Sequence, residues 1–227
     1  MTSFLDFDGV IVDSIEECYI VSYETFFNNH EKPDDIEKHK KTFFKHRGLV
    51  RPPYEYSALH KTILKLMNKD YLHSDFISTF SSFSTAMKNS DKKKFEEDFF
   101  KTRLQFQEKD FISWIKMNPL TEFGKTLLNS LNVETYIVTT KNRQATEKIL
   151  EFYGIKVKGI FSHQEVQNAG SKGNLLTEIM NSSGIEEAIF IDDAVEHLDS
   201  VNDPRIRCFF ADWGYGENSK YKIYSFV

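Results

Sequence analysis

Asp6 and Asp8 are the residues at the head of this sequence whose type and spacing could do chemistry. They follow the apolar run Ser3-Phe4-Leu5, with Phe7 between them and Gly9 behind, and Val10-Ile11-Val12 continues the run. A β-branched and aromatic stretch of this kind reads as a buried strand. Its period of two puts both aspartates at the strand end with their side chains on one side. Carboxylates that close repel each other unless a cation sits between them or one holds a proton. Gly9 allows the backbone to turn away there or to approach a ligand closely. The plainer alternative is that the two aspartates only end a strand and open a turn.

Three more positions belong with them. Thr139 ends a predicted strand over 133–138, Lys172 opens a helix after the short strand at Ile160-Phe161, and Asp192-Asp193 closes the apolar run 188–191. In open α/β sheets, ligands bind at the carboxyl ends of strands, and all these residues fall at that edge. The carboxylates suit Mg2+, a hard cation that takes oxygen ligands. A hydroxyl and an ammonium group remain to hold a phosphate.

The elements that must position them change character along the chain. Asp13 and Ser14 lead into a helix, and Ser14-Ile-Glu-Glu17 fits a capping box. From there to about residue 112 helical stripes dominate: Leu59, Ile63, Leu66 and Met67; Phe76, Phe80, Phe83 and Met87; Phe95, Phe99 and Phe106. Aromatic stripes at this spacing are bundle core. Asn118-Pro119 breaks the pattern. A short amphipathic helix with Phe123, Leu127, Leu128 and Leu131 follows, and then strands alternate with helices. One of those helices ends at Gly154, another near Gly184, and the last strand spans 206–211. Such alternation implies βαβ units and a parallel sheet, which the opening strand must join. The expected fold class is α/β: a Rossmann-like parallel-sheet core, 1–14 and 115–227, with an all-helical cap domain inserted at 15–114.

In this order the residues resemble the four motifs of the haloacid dehalogenase superfamily, the aspartate-nucleophile phosphohydrolases. Asp6-Phe-Asp-Gly-Val-Ile-Val-Asp-Ser14 is similar to the first motif, Thr139 to the second, Lys172 to the third and Asp192-Asp193 to the fourth. Asn118-Pro-Leu, Val-Thr-Thr-Lys141 and Trp-Gly-Tyr-Gly216 look like the phosphoglycolate-phosphatase-like branch, whose helical cap follows the first motif. The resemblance implies an aspartyl-phosphate formed on Asp6, and Asp8 as the acid that protonates the leaving oxygen and the base that activates water. It implies Mg2+ on the Asp6 carboxylate, the Asp8 carbonyl and Asp193, and phosphoryl oxygens held by Thr139 and Lys172. Two departures stand out: Asp192 replaces the usual glycine of the last motif, and His197 replaces its later aspartate. Which of Asp192 and Asp193 would touch the metal directly therefore stays open. His197 reads as a helix-face histidine, Lys141 as a residue at the surface or behind the site, and Asp199 and Asp212 as surface or turn acids.

Substrate choice would lie with the cap. His46-Arg-Gly-Leu-Val-Arg-Pro-Pro-Tyr-Glu-Tyr56 reads as a loop between cap helices, because its glycine and prolines resist regular helix. His46, Arg47 and Arg51 are the candidates to meet an anionic substrate, the alternative being a surface loop of rigid shape.

The expected function is a Mg2+-dependent phosphatase for a small phosphorylated metabolite. A phosphomutase of the same fold and a catalytically inactive binding module are the rivals, and Asp8 argues against a dehalogenase. The 227 residues carry a formal net charge of -5, which gives no reason to expect nucleic acid or an anionic membrane as partner. Cys18 and Cys208 have neither disulfide-framework nor metal-ligand spacing, so a reducing compartment is the simpler assumption. No apolar run approaches membrane-spanning length, and the chain enters its first strand at once, without room for a signal peptide. A cytoplasmic monomer or small homo-oligomer is expected.

Overall fold

A computed structural model describes residues 1–128, 134–218 and 220–225. The chain divides into two compact units, Met1–Ser14 with Asn118–Val227, and Ile15–Met117.

The first unit is built on five strands: β1 (Thr2–Leu5), β2 (Thr135–Val138), β3 (Gly159–Phe161), β4 (Ala188–Asp192) and β5 (Ile206–Phe210). They form one sheet in the order β3-β2-β1-β4-β5, and every adjacent pair is parallel. β1, β2 and β4 are buried along their whole length, which is why they read as unbroken apolar runs rather than alternating ones. The edge strands β3 and β5 are more exposed. Leu5 pairs with Ile137 on one side and with Ile191 on the other, so the three inner strands end level. β2 and β3 extend the sheet to one side of β1, whereas β4 and β5 extend it to the other. The direction of winding therefore reverses between β1 and β4, where open α/β sheets bind their ligands.

Helices α7 (Glu122–Leu127), α8 (Arg143–Tyr153), α9 (His163–Ala169), α10 (Lys172–Ser183) and α11 (Val195–Asp199) connect these strands. Helix α8 stops at Gly154 with φ +70°, the left-handed cap expected there. Leu131 and Val133, expected in the helix and strand that flank this connection, lie outside the described residues. One core joins Phe4, Val138 and Phe190 of the sheet to Leu176 and Met180 of α10.

The second unit is helical: α1 (Ile15–Phe27), α2 (Ile36–His46), α3 (Glu55–Leu66), α4 (His73–Ala86), α5 (Asn89–Lys109) and α6 (Phe111–Lys116). The expected stripes pack together, with Leu59, Ile63, Phe76 and Phe99 buried beside Phe26 and Phe43, and Phe83, Phe95 and Phe106 packed against them. Inside this aromatic core the rings of His39 and His60 stack at 5.1 Å, 9° from parallel. His60 Nε2 lies 2.9 Å from Ser22 Oγ, which satisfies one of its buried nitrogens. Glu17 on α1 is gripped at both oxygens by Arg103, at 2.6 and 2.9 Å, and takes a further bond from the Trp114 indole at 3.2 Å. That cluster ties the start of the unit to its end. Helix α1 starts directly after Ser14, as read, but the return bond of a capping box is replaced: the Glu17 carboxylate goes to Arg103 and Trp114, and the Ser14 N–H donates to the Tyr215 hydroxyl. No helix among the described residues is long and apolar enough to cross a membrane.

Candidate active site

Where β1 ends, the Asp6 N–H still donates to the Ile191 carbonyl at 2.9 Å, so this residue stays in register with β4 while its side chain leaves the sheet. The chain then reverses. The Gly9 N–H donates to Val12 O and the Ile11 N–H to Phe7 O, so Val10 and Ile11 turn back instead of prolonging the strand. Gly9 holds φ +82°, and a Cβ there would lie 2.4 Å from Asp193 Oδ2. No other residue fits without displacing that carboxylate.

Lys172 is the first residue of α10 and is fully buried. Its Nζ lies 2.8 Å from Asp6 Oδ1 and 2.8 Å from Asp192 Oδ2, so one ammonium bridges the ends of β1 and β4. Asp192 is further held by the Ala194 N–H at 2.8 Å and by His197 Nδ1 at 3.1 Å. Asp193, next in the chain, accepts the Tyr215 N–H at 2.6 Å, and Gly214 and Gly216 pack against it too closely to carry a side chain.

Burial raises the pKa of Asp6, and the charge of Asp192 raises it further, against the pull of Lys172. Burial pushes Asp192 the same way, but the charges of Lys172 and His197 outweigh it and hold this carboxyl well below the usual range. For Lys172, burial opposes the charge and the two carboxylates overcome it, raising its pKa. The pair thus settles with Asp192 as the ionised anchor of Lys172 and Asp6 as the carboxylate short of positive charge.

Asp8 stands beyond Asp6 with the Ser14 hydroxyl donating to its Oδ1 at 2.6 Å and Lys141 Nζ at 3.0 Å from the same oxygen. Thr139 follows β2 and is buried; its Oγ1 accepts the Lys141 N–H at 3.0 Å, which leaves the hydroxyl proton to donate. The fold therefore gathers Asp6, Asp8, Thr139, Lys172, Asp192 and Asp193 at the same edge of one unit. It adds two residues: His197, read from sequence as a helix-face histidine, and Lys141, read as lying at the surface or behind the site. His197 turns its ring onto Asp192, and Lys141 is buried against Asp8. The available signals were positional: Lys141 lies two residues past a strand-ending threonine, and His197 lies one helical turn past a strand-ending carboxylate. Asp199 pairs with Lys220, and Asp212 is exposed.

The three residues expected to read substrate belong to the helical unit. His46, at the end of α2, is buried with its ring stacked 3.6 Å from that of Phe76, and burial lowers its pKa to about 4. Arg47 is buried too; it donates to the Val50 carbonyl at 3.1 Å and lies over the Tyr56 ring. The Arg51 guanidinium donates to the Gly48 and Val50 carbonyls. These bonds hold the segment's shape.

As to a metal, Asp6, Asp192 and His197 bring one ligand atom each within 4.8 Å of one another. Apart from the His197 nitrogen, the donors at this edge are hard carboxylate oxygens. Four carboxylates (Asp6, Asp8, Asp192 and Asp193) face two ammonium groups (Lys141 and Lys172) and the His197 imidazole, so negative charge exceeds positive even with His197 protonated, which suits a divalent cation.

No family model matches the sequence, and neither does any curated protein. Solved structures do resemble it. A haloacid dehalogenase-like hydrolase from Streptococcus pneumoniae superposes with a TM-score of 0.62 at 21% identity, over 95% of this chain and 86% of that one. A predicted phosphoglycolate phosphatase from Haemophilus somnus gives 0.61 at 13% identity, over 97% and 88%. A predicted phosphatase from Clostridium acetobutylicum gives 0.56 at 17%, over 95% and 86%. The chain has the haloacid dehalogenase-like α/β fold, as the motifs implied.

Proposed function

We propose that this chain is a Mg2+-dependent phosphomonoesterase of the haloacid dehalogenase type, acting on a small phosphorylated metabolite. The observation that carries the reading is the bridge from Lys172 to Asp6 and Asp192 at the reversal of the sheet, with Asp8 two residues on. Asp6 is the nucleophile, and Asp8 moves the proton to the leaving oxygen and later takes one from water. Thr139 and Lys172 hold phosphoryl oxygens. The Asp6 and Asp193 carboxylates and the Asp8 carbonyl would hold Mg2+, and Asp192 would act through Lys172. When bound, the cation supplies positive charge that offsets the repulsion between the Asp6 carboxylate and a phosphate dianion. Ile15–Met117 is the cap in this reading. Cys18 and Cys208 are free thiols, in keeping with a cytoplasmic enzyme.

Phosphate release across a panel of phosphorylated metabolites with Mg2+ tests the proposal. Asp6→Asn should lower turnover by about 10⁴-fold or more while the protein stays folded, because an amide does not attack phosphorus. Chelation by EDTA should abolish release and Mg2+ should restore it. Full activity in folded Asp6→Asn, or in thoroughly chelated enzyme, would refute the corresponding half. An isomerised sugar phosphate in place of free phosphate would point instead to the phosphomutase.

A further inference from the structure

Each aspartate of the first motif has its own buried lysine. Lys172 takes Asp6, and Lys141 takes Asp8. The Lys141 side chain is entirely out of solvent, with Nζ 3.0 Å from Asp8 Oδ1. Burying an ammonium costs several kcal/mol unless an opposite charge lies close and well oriented, so the contact is not incidental.

The backbone of Lys141 is fixed on both sides. Its N–H donates to Thr139 Oγ1 at 3.0 Å, and its carbonyl accepts the His163 N–H at 3.1 Å. The second donor to the same Asp8 oxygen is just as constrained, for the Ser14 N–H is bound to the Tyr215 hydroxyl at 2.6 Å. Two donors that converge on Oδ1 from segments far apart in sequence set the rotation of the Asp8 carboxylate. Neither has another task in the reaction as read above.

We propose that Lys141 is a positioning residue, which holds the Asp8 carboxyl in the orientation from which it exchanges its proton. The assignment rests on the phosphatase reading. In the first step an Asp6 oxygen bonds to phosphorus, the bond from phosphorus to the ester oxygen breaks, and that oxygen keeps the electron pair and takes the Asp8 proton. In the second, water bonds to phosphorus and gives a proton to Asp8, the bond to Asp6 breaks, and Asp6 recovers its carboxylate. A displaced Asp8 hinders the first step only when the leaving oxygen needs that proton.

The test compares an alkyl phosphate, whose alkoxide must be protonated to leave, with dinitrophenyl phosphate, whose phenolate departs unaided. Lys141→Met should lower kcat/KM for the alkyl ester roughly tenfold to a hundredfold, the worth of one charge-assisted hydrogen bond. For dinitrophenyl phosphate kcat/KM should stay within about threefold, while kcat and KM fall together because water attack still needs Asp8. Lys141→Arg should recover part of the alkyl-ester activity. A folded Lys141→Met that loses equally on both esters, or on neither, overturns the assignment. Should that variant fail to fold, Ser14→Ala decides, since the hydroxyl serves the same oxygen: a loss selective for the alkyl ester supports the proposal, and an equal loss overturns it. A wild-type protein that releases no phosphate from either ester overturns the phosphatase reading and this one with it. A wild type active on both esters confines any failure to Lys141.

Discussion

The two units bury polar groups in opposite ways. At the strand ends of the sheet unit, Asp6, Asp192 and Lys172 are in mutual contact, and carboxylates outnumber ammonium groups. In the helical unit, the buried Glu17 carboxylate is held at both oxygens by the buried Arg103 guanidinium. Three imidazoles are buried there as well, stacked among rings: His39 on His60, His46 on Phe76. Burial lowers the pKa of each of these histidines, so they sit neutral in the core. Matched or neutral groups make a scaffold. An unmatched cluster costs stability and is kept where a ligand completes it.

Removing a charge on each side sharpens the contrast. Lys172→Met should be strongly destabilising as well as inactivating, because it leaves Asp6 and Asp192 facing each other without their shared cation. Phosphate release should fall by about 10³-fold or more, with roughly 3–5 kcal/mol of stability lost. Steady-state kinetics and urea denaturation read the two losses, and a variant that keeps both would break the comparison.

In the helical unit, Glu17→Gln leaves Arg103 buried without its counter-charge. About 3 kcal/mol should be lost. Trp114 donates to Glu17 and so provides a fluorescence probe of that region. Because this pair is balanced and structural, a phosphate-release rate that drops far more than the stability would contradict the distinction.

The smallest effect concerns His46. Its ring nitrogens have no hydrogen-bond partner among the described residues, and its pKa is lowered from 6.5 to about 4. Between those values the unfolded chain binds the proton and the folded one does not, so stability falls as pH drops through that window. The slope is about 1.4 kcal/mol per pH unit for one such group. His46→Phe should remove that share of the slope and cost little at neutral pH. Denaturation curves taken across the window would show it, and an unchanged slope would mean that the ring is protonated in the fold.

Much of the site was legible from local pattern. Asp6, Asp8, Thr139, Asp192 and Asp193 stand out because each follows an apolar run, and a strand end is a local feature. Lys141 and His197 were not legible in the same way, since a lysine or a helical histidine is ordinarily exposed. Only the packing of its loop takes Lys141 out of solvent, and only the start of α11 beside β4 turns His197 onto Asp192. Residue type suggests His46, Arg47 and Arg51 for recognition, and the contacts each makes within its own unit are set by tertiary packing rather than by type.

By itself, the sequence determined which segments are strands and helices in this protein, and which acidic residues end the strands. Apolar periodicity and turn residues act between near neighbours, so a linear reading recovers them. Tertiary structure alone decided the partners. Ser14 and Glu17 fit a capping box four residues long, but the Glu17 carboxylate is taken by Arg103 and Trp114, 86 and 97 residues away, and the Ser14 N–H by Tyr215. A buried charge finds its lowest energy with whatever opposite charge the fold brings near, and that choice is made across the chain rather than along it.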